Sequence, residues 1–232
     1  MKTTAELKAE AKEALKGRWG QAVLLNLIPT LLGIAVLFFV FLSGMIGYLL
    51  HGSGDGMISS VSDYQQNYSN GAGANLVSSI VSALFMSGIS WTYLDLLRGE
   101  KTEIEPFKDA FRGFQGVFIV GIILLALLTN IFSTLWALLL IIPGIVKTYS
   151  YSQSYFLYYD QIKQTGEKPK VLETITASRR LMSGHKGRLF WLDITFIGWH
   201  ILALITLGIG YLWLTPYITA TKAAFYKELS QA

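Results

Sequence analysis

The sequence predicts an all-α fold, a polytopic membrane helix bundle of about six transmembrane helices in three hairpins. Each hairpin is preceded by a cytoplasmic amphipathic helix. Three observations predict it. Between Arg18 and Arg98 there is no lysine or arginine, and this gap holds two apolar runs, residues 22–50 and 76–97. The composition is 52% hydrophobic and only 15% charged, against about 25% charged in ordinary soluble domains. A short amphipathic segment followed by an apolar run recurs three times.

The charge gap sets the topology. Lysine and arginine accumulate on cytoplasmic loops and are scarce in short translocated ones. The polar stretch 51–75 carries only Asp55 and Asp63, whereas basic residues return at Arg98 and Lys101. This pattern predicts a multi-pass plasma-membrane protein with cytoplasmic N- and C-termini. The first apolar run is about twice the length of a signal-peptide core, so an uncleaved spanning helix is expected. The formal charge of +4 suits lysines and arginines facing anionic lipid. They sit at helix ends rather than on one face, so nucleic acid is not an expected partner. Cysteine is absent, which excludes disulfides, thiolate metal sites and cysteine nucleophiles.

The repeat divides a single integral membrane domain, 1–232, into units of about 1–104, 105–166 and 167–232. Its heads are residues 11–20 (AKEALKGRWG), 106–115 (PFKDAFRGFQ) and 177–188 (ASRRLMSGHKGR). Its tails are aromatic and contain an acid, at 92–98 (TYLDLLR), 155–163 (YFLYYDQIK) and 223–229 (AAFYKEL). In the first head Leu7, Ala11 and Leu15 recur at helical spacing, with Thr3 or Thr4 as N-cap and Glu6 in the first turn. Such helices are expected to lie in the lipid headgroup region, apolar face down. The competing reading is a solvated helix without lipid contact.

The expected spans are 22–50, which contains Pro29, then 76–97, and then about 116–128 and 134–158. A tight turn near 129–133 separates the last two, and Pro143-Gly144 breaks the fourth span near its middle. The fifth and sixth are 189–207 and 211–225, with Gly208 and Gly210 in the turn and Pro216 inside the sixth. Pro29, Pro143, Gly144 and Pro216 are thus the expected helix breaks. Residues 61–68 are expected as loop or as a short outer helix.

Polar residues within apolar spans are functional candidates, because leaving them unpaired in hydrocarbon is expensive. Four stand out: Asn26, Lys147, Asp193 and His200. Lys147 either faces a cavity at the helix break, as in transporters, or snorkels to the cytoplasmic headgroups; snorkelling is preferred. Asp193 is expected to pair with a neighbouring base, and His200 to hydrogen-bond a neighbouring helix. No hydrolase, zinc-protease or P-loop signature is present. No catalytic, metal or cofactor-binding residue is therefore named, and no cofactor is implied.

Residues 140–151 (LIIPGIVKTYSY), 177–186 (ASRRLMSGHK), 213–217 (WLTPY), Phe225-Tyr226 and the opening at 7–12 (LKAEAK) carry a resemblance. Together they resemble an uncharacterised family of bacterial membrane proteins, common in Gram-positive bacteria and known by a domain-of-unknown-function label. That family is distantly similar to the membrane domains of glycerophosphodiester phosphodiesterases. The resemblance implies a polytopic plasma-membrane protein and supplies no catalytic residues. The expected function is non-enzymatic action in the cell envelope, on lipids or peptides, through immunity or assistance to a membrane partner. The alternative is a small transporter or channel. Membrane lipids are the expected partners, with a peptide or another membrane protein as a further class.

Overall fold

The computed structural model describes the backbone of residues 1–51, 61–139 and 141–231. Helix α1 spans Thr4–Leu15, α2 Trp19–His51, α3 Val61–Arg98 and α4 Pro106–Ala110. A 3-10 turn at Arg112–Phe114 leads to α5, Ile119–Leu139. Then follow α6 (Ile141–Tyr151), α7 (Ser154–Thr165), α8 (Val171–Leu181), α9 (Lys186–Ile194), α10 (Ile197–Ile205) and α11 (Tyr211–Ser230). Among the described residues there is no strand. Three stretches are long and apolar enough to cross a membrane: Leu76–Arg98, Ile119–Trp136 and Lys186–Ile205. Of the expected outer loop, residues 52–60 lie outside the described residues, while 61–75 form the start of α3.

The first helix begins as its sequence dictates. Thr3 Oγ1 accepts from the Glu6 amide, and the Glu6 carboxylate accepts from the Thr3 amide at 2.6 Å, a reciprocal capping box. Its apolar face does not meet lipid. Leu7, Ala11 and Leu15 are fully buried in the protein core, and α1 packs along α11. The correction has a simple cause: an apolar stripe removed from water by a neighbouring helix has no surface left for a bilayer. Both termini consequently sit together, with the Lys2 amide donating to the Glu228 carboxylate.

Charge fixes that docking. Glu10 accepts from Lys227 at 2.8 Å and from Lys2 at 2.5 Å. Burial raises its pKa, but the two ammonium groups outweigh burial and hold the carboxyl below its ordinary 4.5. A carboxylate with a depressed folded-state pKa stabilises fully above its unfolded value and loses that contribution as pH falls through the folded value. Protection of α1 in hydrogen exchange is therefore expected to be constant above pH 4.5 and to fall below it. Glu10→Gln is expected to cost about 1–2 kcal/mol at neutral pH and to abolish the acid transition.

The second hairpin departs from expectation. Helix α5 runs unbroken through 129–133, so no turn lies there; α5 closes at Leu139, and α6, which opens at Ile141, packs back along it. Phe132 packs on Tyr151, and Leu125 on Tyr151 and Tyr158, as an antiparallel hairpin requires. Pro143 sits in the first turn of α6 with Gly144 beside it. A first-turn proline needs no amide partner, and its ring excludes a helical carbonyl four residues back, which is Leu139, the last residue of α5. The interruption inside this second arm lies at Ser152-Gln153 instead. Pro29 and Pro216 end no helix: α2 and α11 continue through them. Each removes one ladder bond, a loss that packing of the rest of the helix offsets.

Helices α9–α10 and α11 form the third hairpin, close to the expected limits, with a short irregularity at Thr195-Phe196. The reversal uses Gly208 at φ 88°, whose amide donates to Ala203 O at 2.9 Å. A Cβ on Gly210 would lie 2.8 Å from Ala203 Cα, so glycine is needed for the close approach.

Apolar surface is divided unevenly. One core draws on α1, the start of α2, the end of α3, α5, α7, α9 and α11, and so on all three repeat units. Large apolar side chains elsewhere face outward, among them Leu31, Phe39, Leu124, Ile131, Leu204 and Ile205. Leu138 is 84% and Leu207 94% exposed. Outward apolar surface of this kind is costly in water and matches hydrocarbon.

Candidate functional site

Two polar constellations stand out. The first joins the repeat tails. Asp95, near the end of α3, is buried and accepts from Arg112 at 2.7 Å, from Tyr159 at 2.8 Å and from Lys163 at 3.4 Å. Asp160 of α7 accepts both guanidinium branches of Arg98, at 2.6 and 2.8 Å, and the Tyr226 hydroxyl at 2.6 Å. The exchange is reciprocal: Asp95 precedes Arg98 by three residues and Asp160 precedes Lys163 by three, and each acid takes the other's base. The third tail places Glu228 against Arg188 at 3.0 Å. Burial lowers the pKa of Lys163, but Glu100 and Asp95 outweigh it and the net shift is upward. Burial also raises the Tyr159 phenol, and the Asp95 charge adds to that. These groups are locked charges and phenols, suited to holding helices in register rather than to moving protons.

The sequence offered a sign of this network, the recurring tyrosine, acid and base in the tails. It did not say that Asp95, Arg98, Arg112, Asp160 and Lys163 meet, because the paired acids and bases lie up to 68 residues apart.

The second constellation lines a groove of about 630 Å³ between α3, the α6–α7 junction, α9–α10 and α11. Asp193 pairs with Lys222 at 2.9 Å and accepts from the Tyr149 hydroxyl at 3.1 Å. His200 Nδ1 lies 3.3 Å from the Tyr211 hydroxyl. Gln153 sits where the chain leaves the helix between α6 and α7. Its side chain lines the groove, is 2% exposed, and leaves Oε1 without a hydrogen-bond partner. Its amide nitrogen donates to Ser152 Oγ at 2.9 Å. The remaining wall mixes Ser87, Ser90 and Thr148 with Met86, Ile145 and Phe156. Met86 and Ile145 are themselves exposed, so apolar side chains stand at the groove's rim.

Of the four polar candidates, Asp193 and His200 enter this groove and two do not. Asn26 Nδ2 donates to the Tyr93 hydroxyl at 2.6 Å and to Ala22 O at 2.9 Å, and its Oδ1 is buried without a partner. Lys147 is not part of the groove wall; its Nζ lies 4.4 Å from the Trp136 ring centre, a cation–π seat. The groove wall begins one residue beyond Gly144, at Ile145. Gln153 was missed from sequence because a glutamine at a helix junction carries no distinctive spacing. Among the described residues no cluster of histidine and acids fits a metal ion.

A family model described as "Protein of unknown function (DUF975)" matches residues 1–149 and 137–232. The chain belongs to this family. No curated protein and no solved structure matches it. The groove combines an orphaned acceptor, an ion pair and a histidine with both polar and apolar side chains.

Proposed function

We propose that this DUF975 chain is a non-enzymatic, six-span plasma-membrane protein that holds an amphipathic guest, lipid first and peptide second, in its lateral groove. Gram-positive envelopes are the setting that the family resemblance implies, with both termini in the cytoplasm. The observation that supports the reading is Gln153, a residue of the groove wall whose buried Oε1 has no hydrogen-bond partner, in a groove with apolar side chains at its rim. A buried acceptor left unbonded costs about 1–3 kcal/mol, and a hydroxyl or amide of a guest recovers it. A transport reading keeps one observation in its favour, His200 and the Asp193–Lys222 pair on the same wall.

The test uses a phospholipid with a photoactivatable acyl chain, cross-linked to the full chain in nanodiscs. Adducts are expected on peptides carrying Ser90, Ile145 or Thr215. Gln153→Leu removes the orphan acceptor; it is expected to leave thermal stability unchanged or raised and to weaken labelling about fivefold, the loss of one hydrogen bond. Ser90→Phe fills the groove and is expected to suppress those adducts. Unaltered labelling in both variants contradicts the proposal. Solute flux that collapses on His200→Phe while labelling persists favours transport.

A further inference from the structure

Most basic side chains of this molecule are occupied. Arg98, Arg112, Lys163, Arg188, Lys222 and Lys227 all lie against carboxylates. Arg179, Arg180 and Lys186 have no hydrogen-bond, ion-pair or ring partner among the described residues, and both arginines are exposed. The fold gathers these three. Ser178 Oγ donates to Ser150 O at 2.8 Å, seating the end of α8 on α6. Tyr149 packs edge-on against Phe190 at 5.9 Å, seating the start of α9 on the same helix. Only residues 182–185 separate α8 from α9, with Gly184 at φ 80° making the reversal. Lys147 lies one turn before Ser150 and adds a fourth charge beside them. Around this patch Phe190 and Trp191 are exposed, and Arg188 next door reaches Lys2 O and Glu228, so the patch lies on the side of the termini.

Unpaired guanidinium and ammonium groups flanked by outward aromatic rings match one environment, the boundary between phosphates and acyl chains. We propose that Arg179, Arg180 and Lys186, assisted by Lys147, form a site for the headgroup of an anionic phospholipid in the leaflet on the side of the termini. The guanidinium forks bond phosphate oxygens in pairs, and Phe190 and Trp191 lie along the adjoining acyl chains. The inference rests on the membrane reading but is independent of the groove.

The experiment counts lipids retained by the full-length protein in native mass spectrometry, after release from phosphatidylcholine nanodiscs containing a minority of phosphatidylglycerol. Wild type is expected to retain phosphatidylglycerol preferentially. The variant R179Q/R180Q/K186Q is expected to lose that preference by at least about tenfold, each base near an anionic surface counting for roughly fivefold. The control K16Q/K108Q/K170Q removes the same charge from exposed lysines paired with glutamates and is expected to behave as wild type. Equal retention in the patch variant overturns the proposal, as does an equal fall in both variants, which would mean net charge alone. Displacement of the lipid by millimolar inorganic phosphate also overturns it, since the site would then take free oxyanions. Photoactivatable phosphatidylglycerol on the wild type gives a reading that needs no variant: adducts are expected within 172–191, and an even spread contradicts the site. Failure of the membrane reading itself would appear separately, as recovery of the chain in the soluble fraction.

Discussion

Asp95→Ala is expected to lower stability by about 3–5 kcal/mol, because it strips a largely buried guanidinium of its carboxylate partner, the one it has among the described residues. Arg112 would keep Thr92 and Tyr159 as neutral partners, which do not compensate its charge. Lys163 suffers less, since Glu100 still pairs with it. The measurement is thermal unfolding in detergent, in a double-mutant cycle with Arg112→Met. Removing both charges is expected to be milder than removing Asp95 alone, since no isolated ion remains. Equal losses in the single and double variants would mean that the layer is held by packing and that the ion pair is incidental. Asp160→Ala is expected to behave in parallel, as Asp160 is the reciprocal acceptor for Arg98.

Gly113→Ala is expected to cost about 3 kcal/mol or more. A Cβ there would stand 2.1 Å from Leu84 O and 2.9 Å from its carbonyl carbon. Both atoms belong to the backbone of α3, so no rotamer relieves the clash and the 3-10 turn must move off the helix. From α3 the approach is equally tight, since a Cβ on Gly88 would come within 2.8 Å of Asp109 O. Overpacking of this kind routinely costs 1–3 kcal/mol even where side chains yield. Gly116→Ala is the control: nothing lies within 4 Å of its would-be Cβ, and its effect is expected within about 0.5 kcal/mol. Similar melting temperatures for the two variants would refute the account of how the second head meets α3.

Much of the fold was legible because periodicity and punctuation carry it. Thr3 and Glu6 announced a helix start, Gly208 and Gly210 announced the last reversal, and the apolar stretch near 76–97 became the bulk of α3. The reversal between α5 and α6 was not legible, because 114–146 carries no charged residue and hydropathy is blind to a reversal inside such a run. Pro143 did mark that reversal, as a first-turn residue rather than as a break. The fate of α1 was also hidden: Leu7, Ala11 and Leu15 present the same stripe whether lipid or α11 covers it. At the site, Asp193 and His200 were visible as polar residues in an apolar run. Asn26 and Lys147 gave the same signal from places outside the groove, where they meet Tyr93 and Trp136. Gln153 and the Asp95–Asp160 exchange depend on residues brought from distant helices, and one chain read in order holds no record of such meetings.

In the proposed topology hydrocarbon covers the outward apolar side chains while the charged tails and both termini stand in water on one side. The chain contains no cysteine, so single cysteines report cleanly. In opened membranes, a membrane-impermeant maleimide is predicted to label Glu13→Cys rapidly and to leave Phe39→Cys and Ile131→Cys unlabelled until detergent and denaturant are added. Labelling of Ile131→Cys in intact bilayers at the rate of Glu13→Cys would contradict the account.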